Sequence, residues 1–159
     1  DLLTHLCDEL MPAWPDREIE LVTSSSLCVL GNAAELRSAI SNLIVNALKY
    51  SEAPISVKWS DTVVGPELLV EDQGPGIDAK HIPRLTERFY RVDKSRSQAT
   101  GGTGLGLAIV KHVAVSHDAK LFIDSELGRG STFRLVFPND RAVPCDVCSI
   151  EPRRADSGQ

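Results

Sequence analysis

No apolar run in this chain approaches the length that crosses a bilayer, and aromatic residues are sparse, with two Trp, two Tyr and four Phe among 159 residues. The first absence leaves no transmembrane helix in the stretch. No signal-peptide pattern opens it, so any membrane segment is expected outside this piece, with no membrane contact from within it. A formal net charge of −5 and the lack of a basic run speak against a nucleic-acid binder, since phosphates would go unneutralised. The nearest approach to a basic patch is Arg84, Arg88, Arg91, Lys94 and Arg96. Glu87 and Asp93 interrupt it, and it reads first as a solvated face. The four cysteines do not make a disulfide framework. Cys7 and Cys28, among apolar neighbours, read as small core residues, and Cys145 with Cys148 is a lone C-x-x-C. Three familiar nucleotide signatures are also missing. No Lys-Ser or Lys-Thr follows the glycines at 101–106, which rules out a P-loop. Leu107 stands where a dinucleotide fingerprint has its last glycine, and Ser97-Gln98-Ala99-Thr100 before it is not strand-like. No His-Arg-Asp or Asp-Phe-Gly marks a eukaryotic-type protein kinase.

What is present is a 42% hydrophobic chain of single-domain length, enough to bury a core. Leu2, Leu3, Leu6 and Leu10 have helical spacing that Pro12 and Pro15 close. Ile19–Val22 and Leu27–Leu30 read as a strand pair joined across Ser24 to Ser26. Asn32, with Glu35 three residues on, predicts a capping box for a helix to about Leu48. Ile55, Val57 and Trp59 alternate as a half-buried strand, and Leu68-Leu69-Val70 is a second that ends in an acidic glycine turn. Leu105 to Val115 predicts a compact apolar helix, and Leu121–Ile123 and Phe133–Phe137 two further strands. Beyond Pro138 no periodicity survives. The expected organisation is a domain over 1–138 with a disordered tail over 139–159, in an α+β order with helices on one side of a sheet.

Three segments carry chemistry. On the helix after Asn32, Leu36, Ile40, Leu43 and Ala47 form one stripe, expected against the sheet. Asn42, Asn46 and Lys49 form another, expected to face a cleft. Amide oxygens suit Mg²⁺, which binds partly through substrate phosphates, and Lys49 meets phosphate charge from the same face. The duller reading of that stripe is the ordinary polar side of an amphipathic helix. Asp72 closes a strand and, as a carboxylate, only accepts hydrogen bonds, which fits the exocyclic amine of adenine. Gly74 and Gly76 clear side chains from the turn and Pro75 stiffens it, although acidic glycine turns are common in themselves. Gly102 to Gly106 opens the helix from Leu105, where orphan N–H groups and the dipole favour phosphate oxygens.

With these segments in order, the chain resembles the ATP-binding catalytic domain of bacterial sensor histidine kinases, of the superfamily shared with gyrase and MutL. The family's N box is matched by Asn42 through Tyr50, its first glycine box by Asp72-Gln73-Gly74-Pro75-Gly76, and its F box by Glu87 through Asp93. The second glycine box is matched by Gly102-Thr103-Gly104-Leu105-Gly106-Leu107, and the closing signature by Gly128 through Phe133. Coverage runs from near Asp1 to about Pro138. His81 through Lys94, Leu85-Thr86-Glu87 above all, is similar to the phosphate-regulon branch, as is Arg37 through Asn42.

The resemblance implies a two-layer α/β sandwich of the Bergerat type, with a mixed sheet, helices on one face and a mobile ATP lid. It implies ATP and Mg²⁺ as cofactors. Asn46 would be the metal ligand, supported by Asn42, with Lys49 on the phosphates and Tyr50 near the base. Asp72 would accept the adenine amine with help from Thr132, beside Gly74, Gly76 and Ile77. Gly102, Thr103, Gly104, Leu105, Gly106 and Leu107 would wrap the phosphates. The lid, from Ile77 to about Gly101, would be anchored by packing of Phe89. Arg91, and less directly Arg88, would compensate charge at the transferred phosphoryl group. The implied reaction passes the γ-phosphoryl group of ATP to a histidine on a separate dimerisation and phosphoacceptor domain. From there it reaches a response regulator, within a bacterial inner-membrane sensor whose cytoplasmic part includes this fragment.

The acceptor itself is missing. His5 follows Thr4, but Leu6 replaces the acidic residue of the acceptor motif, and His81, His112 and His117 show neither that context nor metal-ligand spacing. The fragment is therefore expected to be monomeric and nearly inactive toward itself. Two rivals stand beside this reading. One is another branch of the superfamily, such as an anti-sigma-factor serine kinase, and the other is an ATP-binding interaction module without turnover.

Overall fold

The structure is a computed structural model that describes residues 2–91 and 105–145. Helix α1 spans Leu2–Leu10 and strand β1 Ile19–Thr23, followed by β2 over Leu27–Val29. Helix α2 spans Ala33–Tyr50, β3 Ile55–Asp61 and β4 Pro66–Asp72. Helix α3 covers Gly106–Ser116, β5 Lys120–Glu126, β6 Gly130–Val136 and β7 Ala142–Pro144. Five strands form a mixed sheet in the order β1-β3-β4-β6-β5, with β1 parallel to β3 and the other pairs antiparallel. This is the α/β sandwich that the resemblance implies.

The register aligns side chains into cross-strand rows. Leu21, Val57, Val70, Phe133 and Ile123 form one row, and Trp59, Leu68, Leu135 and Leu121 form the next. Successive residues of a strand point to opposite faces, so these rows share one face. Against it pack Leu3 and Leu6 of α1, the stripe Leu36, Ile40, Leu43 and Ala47 of α2, and Val110 and Val113 of α3, all buried in one cluster. The apolar stripe of α2 therefore covers the sheet as its spacing predicts. The opposite face is polar: Arg134 lies between Glu67 (3.5 Å) and Asp124 (3.8 Å), and its guanidinium covers the Phe122 ring.

Asn32 caps α2, its side-chain oxygen accepting from the Glu35 N–H at 3.1 Å. The return half of the expected box is replaced. The Asn32 N–H donates to Nε2 of buried His117 at 3.0 Å, while Nδ1 lies 2.8 Å from the Val113 carbonyl. An N–H can only donate and a carbonyl only accept, which fixes a neutral ring with its proton on Nδ1. His117 thus ties the end of α3 to the start of α2.

Three expectations at the periphery are corrected. The segments expected as a strand pair do not pair: β1 joins β3, and β2 joins β7. The link between them is pinned to the end of β3, where the Ser24 N–H donates to Trp59 O (2.9 Å), Ser25 Oγ reaches Asp61, and the Trp59 indole donates to Leu27 O (2.9 Å). Order continues past Pro138, through a 3₁₀ turn at Asn139–Arg141 into β7; residues 146–159 of the expected tail lie outside the described residues. Cys7 is buried as expected, and burial, then the Asp8 charge, push its thiol pKa up. Cys28 is not a core residue. It is half-buried and disulfide-bonded to Cys145, with the Cα atoms 5.1 Å apart, within the span such a bond needs. Cys148 lies outside the described residues.

Candidate functional site

The inner face of the sheet is apolar until its last row. One step beyond Val70, Phe133 and Ile123 stand Asp72, Ser131 and Ser125, aligned by the same register. Asp72 and Ser131 are buried. Burial is the largest influence on the Asp72 carboxyl and pushes its pKa up, with help from the Glu71 charge, while hydrogen bonds from the Gly74 and Ser131 backbone oppose it. The Gly74 N–H donates to Asp72 Oδ1 at 2.9 Å. The result is a carboxylate held at the mouth of the core.

Two further elements converge on this row. Ser51, at the end of α2, is buried and accepts from the Gln73 N–H at 3.3 Å. A Cβ on Gly74 would collide with the Tyr50 carbonyl, so a glycine there lets the acidic turn pack on the helix end. Gly76 has φ +75°, a conformation disfavoured for residues with a Cβ, and lies against the Glu126 carbonyl of the β5–β6 hairpin. Ile77 follows, its N–H donating to Ser125 Oγ at 2.7 Å.

Along α2, Asn42, Asn46 and Lys49 are half-buried and Tyr50 is about half exposed. Asn42 Nδ2 donates to Ser38 O at 2.8 Å, and its Oδ1 would lie 2.9 Å from a Cβ on Gly106, the first residue of α3. The N box and the second glycine box therefore meet. Leu105 and Leu107 flank that point, Leu107 packing on the core, and no side chain caps the helix. Its first N–H groups are thus not met by a capping side chain. Gly102, Thr103 and Gly104 lie outside the described residues.

Two expectations fail here. Phe89 does not anchor the lid segment: it is 70% exposed with φ +63°. Among the described residues of that segment the buried one is Leu85, while Tyr90 meets His81 and lies under the Arg84 guanidinium, 4.5 Å from its ring centre. Arg88 is exposed and Arg91 half-buried. Thr132 does not share a face with Asp72. It aligns with Glu71 and Asp124 on the outer side, and Ser131 takes its place beside Asp72. The alternation from Phe133 carried that signal, since residue 131 has the parity of an inward residue and 132 does not. Ser125 carries the same inward parity, two residues beyond Ile123, while Ser51 had no such signal because it acts through Gln73, farther along the chain.

The geometry defines the class by its fold: an α/β sandwich with an amide-bearing helix and an acidic glycine turn meeting at its open end. The profile of the family described as "Histidine kinase-, DNA gyrase B-, and HSP90-like ATPase" matches residues 31–141. The chain belongs to this family. It is 51% identical over 145 residues to the phosphate regulon sensor protein PhoR of Pseudomonas aeruginosa, covering 90% of this chain and 32% of that protein. The PhoR of Haemophilus influenzae is 46% identical over 77% of this chain, and SenX3, a sensor-like histidine kinase of Mycobacterium tuberculosis, 45% over the same share. The chain spans about a third of these relatives, covering 29% and 30% of the last two. Among solved structures, the mycobacterial sensor histidine kinase MprB matches with a TM-score of 0.76 at 29% identity, over 90% of this chain and 93% of that one. Full-length ShkA in complex with AMPPNP matches at 0.74 and 29%, over 86% of this chain and 29% of that one. This chain is an ATPase-family domain homologous to about a third of PhoR and SenX3.

Proposed function

We propose that this domain binds Mg-ATP and passes the γ-phosphoryl group to a histidine on a separate dimerisation and phosphoacceptor domain, in a two-component sensor of phosphate starvation. The observation that carries the reading is the buried Asp72 carboxylate, set where the end of α2 and the glycine turn meet. The Gly74 and Ser131 backbone groups already donate to it, and an exocyclic amine would add a further donor to its remaining acceptor capacity.

From there the phosphates extend along α2 toward α3. The charge of Lys49 and the first N–H groups of α3 would receive them. The half-buried Asn46 amide fits Mg²⁺, which takes oxygen ligands and shares them with phosphates; among the described residues no cluster of three acidic, His or Cys ligands competes for the ion. The metal would neutralise phosphate charge. Arg91 would stabilise the charge that spreads over the transferring group, with Arg88 a second cation near it. Positioning and charge stabilisation are most of what phosphoryl transfer asks of a protein. None of this supplies the acceptor: His117 is locked inside the fold and His81 is engaged by Tyr90. The parent protein is read as a bacterial inner-membrane sensor, with this domain monomeric on its cytoplasmic side. No described helix is long and apolar enough to cross a membrane.

Mixing the domain with an acceptor domain of the phosphate-regulon type and labelled ATP should put acid-labile, alkali-stable phosphate on the acceptor histidine. ATP binding with no transfer to a competent acceptor would leave only a binding module. Transfer to serine instead would place the domain in another branch of the superfamily.

A further inference from the structure

We infer that Ser125 is a specificity-determining positioning residue: it fixes the direction of the Ser131 hydroxyl proton and so makes the site select a 6-amino purine over a 6-oxo purine. The inference rests on the nucleotide reading above and goes beyond it to a residue two strands away from Asp72.

A serine hydroxyl offers one donor and two acceptor positions. At Ser125 all three are engaged. The hydroxyl accepts from the Ile77 N–H at 2.7 Å, donates to the Gly130 carbonyl at 3.0 Å, and lies 2.7 Å from Ser131 Oγ. With its single proton directed at Gly130, Ser125 can only accept from Ser131. The Ser131 proton is then committed, and what Ser131 retains is acceptor capacity. Ser131 sits directly across from Asp72, itself an acceptor. The polar row therefore presents acceptors with no donor to turn toward a ligand. An adenine amine brings two N–H bonds to such a row. The oxygen of a 6-oxo purine brings lone pairs, and a site whose polar groups cannot answer a ligand's discriminates far more strongly than one that differs in shape alone. Without Ser125, the Ser131 hydroxyl would rotate freely and could donate to that oxygen. The Ile77 contact adds a second effect, since it ties the chain leaving the glycine turn to β5 and holds the wall of the pocket.

The measurement is calorimetric affinity of the 159-residue chain for ATP and for inosine triphosphate, both with Mg²⁺. The two nucleotides differ in the ring at position 6 and the associated N1 proton. In Ser125→Ala the preference for ATP should fall by about tenfold or more, with ATP weakened and inosine triphosphate unchanged or tighter. Ser125→Thr, which keeps the hydroxyl, should restore the preference. Equal loss of both nucleotides in Ser125→Ala would mean a merely structural serine and overturn the inference. Should Ser125→Ala fail to fold, Ser131→Ala decides: full retention of the ATP preference there overturns it equally. A wild-type domain that binds neither nucleotide sinks the nucleotide reading itself, a result distinct from tight ATP binding with an unmoved ratio.

Discussion

Two adjacent rows on one sheet face, Val70–Phe133–Ile123 and Asp72–Ser131–Ser125, share strands, register and orientation, yet one is apolar and the other polar. In the first, Phe133 and Val70 are fully buried and held by packing alone. In the second, burial is nearly as complete, but every group must find a polar partner, because an unpaired buried polar atom costs more than its hydrogen bond returns. The Asp72 and Ser125 bonds to Gly74, Ile77 and Gly130 meet that need within the protein. In the proposed reading the sheet continues unchanged while the layer above it ends, and the polar row takes over where α2 gives way to the glycine turn.

Four substitutions or conditions test the difference between the two rows. The largest effect belongs to the apolar row, where Phe133→Ala should cost about 3–5 kcal/mol of stability in denaturant titration and lower ATP binding only by unfolding the domain. Asp72→Asn should instead leave a cooperative melt while weakening ATP by about 2–3 kcal/mol, roughly one to two orders of magnitude, in calorimetry. Unchanged affinity would remove Asp72 from the base contact.

The third is pH. Burial raises the Asp72 pKa, so the folded state holds that proton more tightly than the unfolded chain does. The associated stability is fully present below the unfolded carboxyl value and is lost as pH rises through the raised folded value. Wild type should therefore lose stability relative to Asp72→Asn across that window, as read from paired melts. ATP affinity should run the opposite way, falling as the pH drops through the same value, because the protonated carboxyl gives up acceptor capacity. The smallest effect is at Thr132. On the outer face, Thr132→Val should change ATP affinity by less than about twofold and stability by about 0.5 kcal/mol or less. A loss at Thr132 as large as that of Ser131→Ala would mean that the rows are wrongly assigned.

Much of this was readable from the chain. The stripe at Leu36, Ile40, Leu43 and Ala47, the cap at Asn32 and the strand ending in Asp72 all follow from local periodicity, and each stands as expected. All the failures but Thr132 share a cause. Ile19–Val22 and Leu27–Leu30 are both strand-like, but which strands pair is settled by partners far along the chain, here β3 and β7. Cys28 and Cys145 are 117 positions apart, and nothing local marks them as neighbours. Phe89 has an apolar side chain and yet a positive φ and open surroundings, while the less conspicuous Leu85 is buried. Thr132 is the instructive case, because alternation from Phe133 would have pointed to Ser131.

The chemistry available to the site is already present in the residues, because residue chemistry does not depend on where a chain goes: amides and a lysine on one helix stripe, a carboxylate before two glycines, and a glycine-rich helix start. Tertiary structure alone decided which groups meet. Asp72 gains its burial and raised pKa, Ser131 its place opposite the carboxylate, and Ser125 its three hydrogen bonds only when three strands lie in register. Hydrogen bonds and desolvation act over a few ångströms of space, and folding converts distances along the chain into those distances.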